Sequence, residues 1–282
     1  MIRGTMDVVL AIERAIFAGG REPVRARTRI LDRRYGIQTG DAMIAAVATA
    51  STCAGLLAGG CAYAALWPES QIFGRVLVAG SNPAEFALTF DDGPNDPWTP
   101  RLLEMLAEHQ VRATFFLIGE FVRERPAIAR QIVAGGHLIG NHTTNHPWLP
   151  LMSPRRVRNE LAFCNAIIED ATGQRVRYFR PPHGARRPDV LRAARAMGLT
   201  PVQWNAVGHD WRRGISSMEI VRDLERGIAR NQRQGRGSNL LLHDGGHRRM
   251  GMDRARSIEA ARLILGKYPP GAARYVTVDA WG

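Results

Sequence analysis

The chain has 282 residues, of which 45% are hydrophobic and 23% charged; this composition excludes a disordered chain and allows one large core with an additional segment. Its formal net charge is +12, and Lys267 is the only lysine, so arginine supplies nearly all of the basic charge. A basic surface favours anionic partners, but no basic run interleaved with aromatic residues indicates a nucleic-acid-binding protein. The three cysteines form neither a CxxC zinc motif nor a disulfide framework.

The first two segments along the chain are a basic arm, residues 1–41, to which we assign no activity, and an uncharged stretch, residues 42–67. A membrane-spanning helix needs about 20 apolar residues. Five arginines closely precede the stretch: Arg25, Arg27, Arg29, Arg33 and Arg34. Basic residues on the cytoplasmic side predict a single-pass membrane protein whose main domain lies outside the cytoplasm. The alternatives are a cleaved signal peptide, which would leave a secreted or periplasmic domain, and a buried helix of a soluble protein.

Residues 68–81 are predicted to be a linker, and from Glu85 onwards short apolar runs alternate with longer amphipathic segments. We predict seven strands, at Phe86–Phe90, Thr114–Ile118, Leu138–Gly140, Tyr178–Arg180, Pro201–Asn205, Asn239–Leu242 and Tyr275–Val278. One intervening helix has apolar residues spaced by four, three and four positions, at Val157, Leu161, Cys164 and Ile168. This alternation predicts an α/β fold, either a parallel barrel or an open sheet.

Two polar groups follow predicted strands at the ends where parallel α/β folds place their chemistry. Asp91 and Asp92 follow the first strand, and side chains that alternate in direction would let one bind a metal while the other acts as a base. His142 and His146 are spaced to share one face of a helical turn. Two histidines and one carboxylate suit zinc and leave positions open for water and substrate. Taken singly, each motif is more often a solvated turn or a chance HxxxH.

Five segments occur in a fixed order: TFDDGP at 89–94, HTTNH at 142–146, RPPHG at 180–184, HDW at 209–211 and LLLHD at 240–244. Together they resemble the motifs of polysaccharide deacetylases, the NodB-like family 4 carbohydrate esterases, over about residues 82–282. The resemblance implies a distorted (β/α) barrel with fewer than eight strands, which agrees with the seven predicted. We therefore expect a (β/α)7 barrel as the catalytic domain.

The resemblance also implies a role for each matching residue. Asp91 would be the catalytic base and His243 the general acid, with Arg180 holding the base and Asp210 paired with the acid. The metal ligands would be Asp92, His142 and His146, and the substrate-binding residues would be Pro182, His183, Trp211 and Leu241. The implied cofactor is one divalent metal ion, zinc first, with Co²⁺, Ni²⁺, Mn²⁺ and Fe²⁺ as alternatives. His209 and His247 are left outside the metal set, as is His183.

The implied activity is the removal of N-acetyl groups, as acetate, from a polysaccharide or cell-wall glycan such as the N-acetylglucosamine sugars of peptidoglycan. Rival hypotheses are removal of a formyl group from a lipid-linked sugar and a non-catalytic protein that binds glycan or metal. A nucleic-acid partner, indicated only by charge, ranks last. Two residues depart from the family pattern, Val207 where an aspartate is usual and His183 where an aromatic residue is usual, and they leave the sugar specificity open.

Overall fold

The computed structural model describes residues 38–282 of the chain, so most of the predicted basic arm lies outside the described residues. The chain divides into two compact units, Met1–Cys53 and Ala54–Gly282. The second unit contains every motif singled out in the sequence, and the account of the sheet and the site concerns it alone.

The first described element is a long helix, Gln38–Leu66 (α1). Residues 46–66 of this helix are long and apolar enough to cross a membrane. Large apolar side chains on it are exposed, including Leu56 and Leu57. The helix coincides with the predicted uncharged segment, residues 42–67, and a signal sequence would have the same properties. Membrane insertion of this helix therefore stays a prediction.

A parallel sheet forms the centre of the second unit. Its strands are Glu85–Gly93 (β1), Thr114–Leu117 (β2), Leu138–Asn141 (β3), Tyr178–Phe179 (β4), Thr200–Pro201 (β5), Ala206–Val207 (β6), Ser238–His243 (β7) and Arg274–Tyr275 (β8). The order across the sheet is β5-β4-β3-β2-β1-β7-β6, and β8 pairs with β1. Phe86, Leu88 and Phe90 of β1 are almost fully buried. The central strand is thus β1, which carries the two aspartates at its carboxyl end.

The predicted strand at Pro201–Asn205 is wrong as a single strand, because this stretch connects two short strands, β5 and β6. These strands lie at opposite ends of the sheet order although only a few residues separate them. A short chain can bridge the two ends only if the sheet curls until they approach each other. Buried polar side chains fill the crossing, where Gln203 Nε2 donates to the Gly184 carbonyl at 3.0 Å and Asn205 Nδ2 to the Gly237 carbonyl at 3.0 Å. The expected distorted α/β barrel is confirmed.

Helices cover the outside of the curled sheet. They are Trp98–Glu108 (α2), Gly119–Glu124 (α3), Pro126–Ala134 (α4), Pro154–Thr172 (α5), Pro188–Ala196 (α6), Ser217–Arg233 (α7) and Ala255–Lys267 (α8). Short 3-10 turns lie at Leu149–Leu151, Pro182–Gly184 and Val278–Trp281. Helix α5 buries the predicted stripe of Val157, Leu161, Cys164 and Ile168. It begins at the N-cap Ser153 and ends at Gly173, whose φ of 70° is left-handed and suits glycine.

The segment predicted as a linker, residues 68–81, packs into the domain instead. Val76 and Val78 are buried against Leu191, and Leu77 pairs with Val202. The fully buried guanidinium of Arg186 donates to the backbone carbonyls of Trp67 at 2.7 Å and Ser70 at 2.8 Å. A buried arginine without a carboxylate needs such acceptors to offset its desolvation. The segment that follows α1 is therefore fixed to the loop after β4.

Candidate active site

The carboxyl end of β1 carries Asp91 and Asp92, and each of these residues has only 3% of its surface exposed. Asp91 pairs with Phe116 of β2 and Gly93 with Leu117, so Asp92 is an extra residue with a left-handed φ of 70°. Such a bulge redirects a side chain relative to the alternation of a regular strand. Both carboxylates consequently approach His142, whose Nε2 lies 3.8 Å from Asp91 Oδ2 and 3.4 Å from Asp92 Oδ1. The expected divergence of the two side chains is wrong, because the bulge cancels it.

His142 and His146 lie on an irregular turn after β3, not on the helical turn that their spacing suggested. Asn141 Oδ1 accepts the Thr143 N–H at 2.7 Å, and the Thr143 hydroxyl accepts the His146 N–H at 3.0 Å. Glu160 of α5 accepts the next two backbone N–H groups, at 3.0 and 3.1 Å. These hydrogen bonds hold a turn in which the centroids of the two imidazole rings lie 4.9 Å apart.

Asp92, His142 and His146 form a set of converging ligand atoms. Asp92 Oδ1 is buried without a hydrogen-bond partner and lies 3.4 Å from His142 Nε2 and 3.3 Å from His146 Nε2. His142 Nδ1 lies 2.8 Å from the Arg180 carbonyl, which fixes the ring and leaves the Nε2 lone pair free. Burial lowers the pKa of His146 to about 2. Although burial opposes it, the surrounding histidine side chains hold the pKa of Asp92 well below its usual value. Neutral imidazoles and an ionised carboxylate are the forms that bind a divalent metal.

Asp91 has a different environment from Asp92. Arg180, which is fully buried, donates from Nη1 to Asp91 Oδ1 at 2.7 Å and to the Thr89 hydroxyl at 2.9 Å. Its guanidinium also lies over the Phe116 ring, 4.1 Å from the centroid. A buried cation in this geometry stabilises the ionised form of the carboxylate beside it. Asp91 is thus paired with a buried guanidinium next to the converging ligands.

His243 ends β7 directly opposite Asp91 in the sheet register. Its Nδ1 lies 2.7 Å from Asp210 Oδ1, and its backbone N–H donates to Asp210 Oδ2 at 2.8 Å. Ser257 also donates to Asp210 Oδ2, at 2.7 Å. Burial alone would lower the pKa of His243, but the charge and hydrogen bond of Asp210 overcome this and raise it to about 9. The imidazole is therefore protonated at neutral pH, with Nε2 free to donate.

Comparison with known proteins shows the family of the chain. Residues 80–202 match the family model described as polysaccharide deacetylase. A chitooligosaccharide deacetylase of Azorhizobium caulinodans is 37% identical over 176 residues, which cover 62% of this chain and 80% of the relative. The chain belongs to the polysaccharide deacetylase family.

Solved structures of related enzymes support the same assignment. A peptidoglycan N-acetylglucosamine deacetylase in complex with an N-oxidanyl benzamide has a TM-score of 0.65 and 32% identity, covering 73% of this chain and 91% of that one. A family 4 acetyl xylan esterase from Clostridium thermocellum, in complex with a cobalt ion, has a TM-score of 0.61 and 29% identity, covering 70% and 89%. This polysaccharide deacetylase therefore shares its curled parallel sheet with hydrolases of more than one acetylated glycan.

The four predicted substrate residues of the deacetylase lie around the two acid–base pairs. Pro182 is buried in a 3-10 turn, and His183 follows it with a left-handed φ of 59°. Leu241 is buried beside Val207, its partner in the sheet register. Trp211 is 51% exposed and meets the His243 ring edge-on at 5.3 Å. The two predicted residues with aromatic rings, Trp211 and His183, thus contact His243 and His146, while Pro182 and Leu241 are buried.

Sequence reasoning left out His247, which the structure places at the deacetylase centre. Its backbone N–H donates to Asp92 Oδ2 at 3.2 Å, and its ring stacks on His146 with centroids 4.5 Å apart. Ligand atoms of Asp92, His146 and His247 lie within 4.8 Å of one another. No motif marks this histidine, and only its place in the loop after β7 indicates it. His209, by contrast, is bound to Asp223 at 2.9 Å and has a structural role.

Proposed function

We propose that this chain is a metal-dependent hydrolase that removes the acetyl group from an N-acetylated amino sugar of a glycan. The products are acetate and a free amine on the sugar. The observation that carries the proposal is the pairing of Asp91 with Arg180 and of His243 with Asp210, on adjacent strands next to Asp92. A protein that only binds glycan or metal needs neither an arginine-held carboxylate nor a protonated histidine at this place.

Asp92, His142 and His146 are the residues proposed to hold the metal, with zinc expected first. The buried, unpartnered Asp92 Oδ1 facing two imidazole nitrogens supports this set. The cobalt ion in the related acetyl xylan esterase supports divalent-metal chemistry in the family. When bound, such an ion lowers the pKa of water and polarises the amide carbonyl.

The two acid–base pairs divide the proton transfers between them. Asp91, paired with Arg180, takes the proton of the attacking water. His243 is bound through Nδ1 to Asp210, so its Nε2 proton is the one available for the departing amine. The backbone N–H of His183 is proposed to stabilise the negative charge on the carbonyl oxygen. Because that contribution comes from the backbone, the histidine at this position is compatible with catalysis.

The charge of the site's rim favours an anionic glycan such as peptidoglycan. Arg213, Arg248 and Arg249 are exposed in the loops that carry Trp211 and His247, and none of them forms an ion pair within residues 38–282. Peptidoglycan carries carboxylates on its lactyl groups and peptides, and a cationic rim would attract them. A neutral chitooligosaccharide, the substrate class named for the Azorhizobium relative, is the second candidate.

We propose that the enzyme acts outside the cytoplasmic membrane, anchored through α1. The apolar stretch at residues 46–66 and the arginines that precede it support this location. A secreted or periplasmic enzyme is the alternative if the helix is removed as a signal peptide.

Acetate release tests the proposal. The full-length chain in detergent would be stripped of metal, reloaded with Zn²⁺ and given peptidoglycan, chitotetraose and O-acetylated xylan. We expect acetate from the N-acetylated substrates, with peptidoglycan the fastest at low salt. Formate from an N-formyl sugar without acetate from any substrate would instead support the rival deformylase, and the absence of both products would refute the hydrolase proposal.

The Asp91→Asn variant tests the assignment of the base. We expect a rate loss of about 10²–10⁴-fold, since the amide cannot take the proton, with zinc binding retained. The matched control is Asp96→Asn, the same exchange at an exposed carboxylate five residues along the chain. A variant at position 91 that binds zinc and hydrolyses at the wild-type rate would contradict the mechanism.

A further inference from the structure

Four aromatic rings form one cluster, which includes the ring of the proposed metal ligand His146. Trp148 stacks on His183, with centroids 4.2 Å apart and planes at 14°. His183 meets the His146 ring edge-on at 4.5 Å, His247 stacks on His146 at 4.5 Å, and the His183 and His247 rings meet edge-on at 5.6 Å. Trp148 and His183 are called the shelf here. The shelf is connected to the catalytic centre through His183, whose ring meets the rings of both His146 and His247.

The shelf is exposed yet held in place. Trp148 is 47% exposed, so a large apolar face meets water at the rim of the site. The residue after it, Leu149, is fully buried and anchors the backbone. Arg187 donates to the Pro150 carbonyl at 2.8 Å and so ties this segment to the loop that carries His183. A rigid, exposed aromatic face loses little conformational entropy when a ligand covers it.

We propose that the shelf is a stacking site for the sugar next to the one that is deacetylated, a proposal that rests on the proposed deacetylase function. The faces of a pyranose ring carry C–H groups, which pack against an aromatic face while the hydroxyl groups remain in water. Because the His183 ring separates Trp148 from His146, a sugar on the shelf lies outside the sugar whose amide is at the metal ligands.

Trp211 is a second exposed indole at the site, but it has a different position from Trp148. It contacts His243, the proposed acid, and therefore flanks the reacting sugar itself. Trp148 contacts neither Asp91 nor His243, so its binding energy comes from a part of the substrate that does not react. Binding energy from such a remote sugar can raise kcat/KM for longer chains. The enzyme is thus expected to prefer glycan chains over single sugars.

The test compares Trp148→Ala with Trp148→Phe on a series from N-acetylglucosamine to chitopentaose. Stacking contributes about 0.5–1.5 kcal/mol, so the alanine variant should lose about 2- to 12-fold in kcat/KM on oligomers and little on the monosaccharide. The phenylalanine variant should recover most of the loss. Leu151→Ala is the matched control, since Leu151 is an 82% exposed apolar residue of the same segment.

Binding is measured separately, so that failure of the shelf and failure of the proposed hydrolysis can be distinguished. In a zinc-loaded Asp91→Asn background, calorimetry with chitotetraose should show weaker binding when Trp148 is also replaced by alanine. Equal affinity of the two proteins for chitotetraose would overturn the proposal. An equal loss of kcat/KM on the monosaccharide and the oligomers would overturn it as well, since a subsite for a second sugar cannot act on a single one.

Discussion

Replacing Asp210 by asparagine should move the alkaline limit of activity to lower pH. In the wild type, Asp210 Oδ1 lies 2.7 Å from His243 Nδ1, and the pKa of His243 is raised to about 9. The asparagine keeps the shape of the side chain but removes the charge. Burial lowers the pKa of a histidine, and in the variant the charge of Asp210 no longer offsets this effect. We therefore expect the pKa of His243 to be 6.5 or below.

The magnitude follows from these two pKa values. A fall of about 2.5 pH units corresponds to about 3.4 kcal/mol. At pH 7 nearly all of the wild-type His243 is protonated, whereas in the variant at most about a quarter is, by the usual titration relation. Protonation alone therefore costs about fourfold at pH 7, and lost orientation of the ring adds to this. A bound dication would weaken the contributions of Asp91 and Asp92 to the pKa of His243, but Asp210 would still act on it.

The assay is the pH profile of kcat/KM for acetate release, recorded with saturating zinc. Wild-type activity should fall as pH rises through about 9, because His243 loses the proton that it donates. Ser257→Ala is the control, since it removes one hydrogen bond to Asp210 at 2.7 Å and keeps the charge. An alkaline limit in Asp210→Asn within about half a pH unit of the wild type would show that His243 is not the acid.

Two further predictions concern the metal and a buried carboxyl group. His142→Ala should weaken Zn²⁺ binding by at least about 100-fold, measured with a competing chelator. His247→Ala should weaken Zn²⁺ binding less. Equal Zn²⁺ affinity of the wild type and His142→Ala would exclude His142 as a ligand. Asp244 is fully buried, and burial raises its pKa to about 7, so its ionisation destabilises the fold as pH rises from 3.8 through 7. Asp244→Asn should therefore raise the free energy of unfolding at pH 8 in EDTA, by up to about 4 kcal/mol, and change it little at pH 4; thermal melts that coincide at pH 8 would contradict this.

The position of the chemistry could be predicted from the sequence because each functional residue follows an apolar run. Asp91 and His243 both follow apolar runs, so the sequence placed them at strand ends, and the register of the sheet shows that their two strands are neighbours. The apolar stripe that ends at Ile168 predicted helix α5, since the spacing of its buried residues is visible within a short stretch of the chain. Apolar runs and helical spacing thus predicted most of the strands and helices and the strand ends at which Asp91 and His243 lie.

Features that depend on distant contacts could not be predicted. Residues 68–81 look like a linker by composition, yet buried Arg186, over a hundred residues later, binds the carbonyls of Trp67 and Ser70. His247 approaches Asp92 through a loop whose path no local pattern defines. The crossing from β5 to β6 was read as one strand because apolar residues flank it on both sides. In each case the deciding partner lies far away in sequence.

Several residues at the site have a backbone conformation that is unfavourable for residues other than glycine. Within the described residues, six non-glycine residues have a positive φ, and five of them lie at the site, one in the bulge of β1 and four after the strands: Asp92, Thr143, His146, His183 and His209. Each such conformation costs roughly 1–3 kcal/mol, and Thr143 is the least suited because its side chain is β-branched. Aspartate and histidine adopt this conformation more readily than most residues, but threonine does not, so the surrounding hydrogen bonds must maintain the turn at Thr143.

The turn that carries the two histidines shows where that support comes from. Glu160 of α5 accepts two backbone N–H groups of the turn, and Asn141 at the end of β3 accepts the Thr143 N–H. Asn141 Nδ2 in turn donates to the Leu161 carbonyl of α5 at 2.9 Å. A helix on the outside of the sheet thereby fixes the spacing of His142 and His146. The geometry of the two histidines is thus a property of the packed domain, which is why the HxxxH spacing indicated two residues that meet but predicted the wrong local structure.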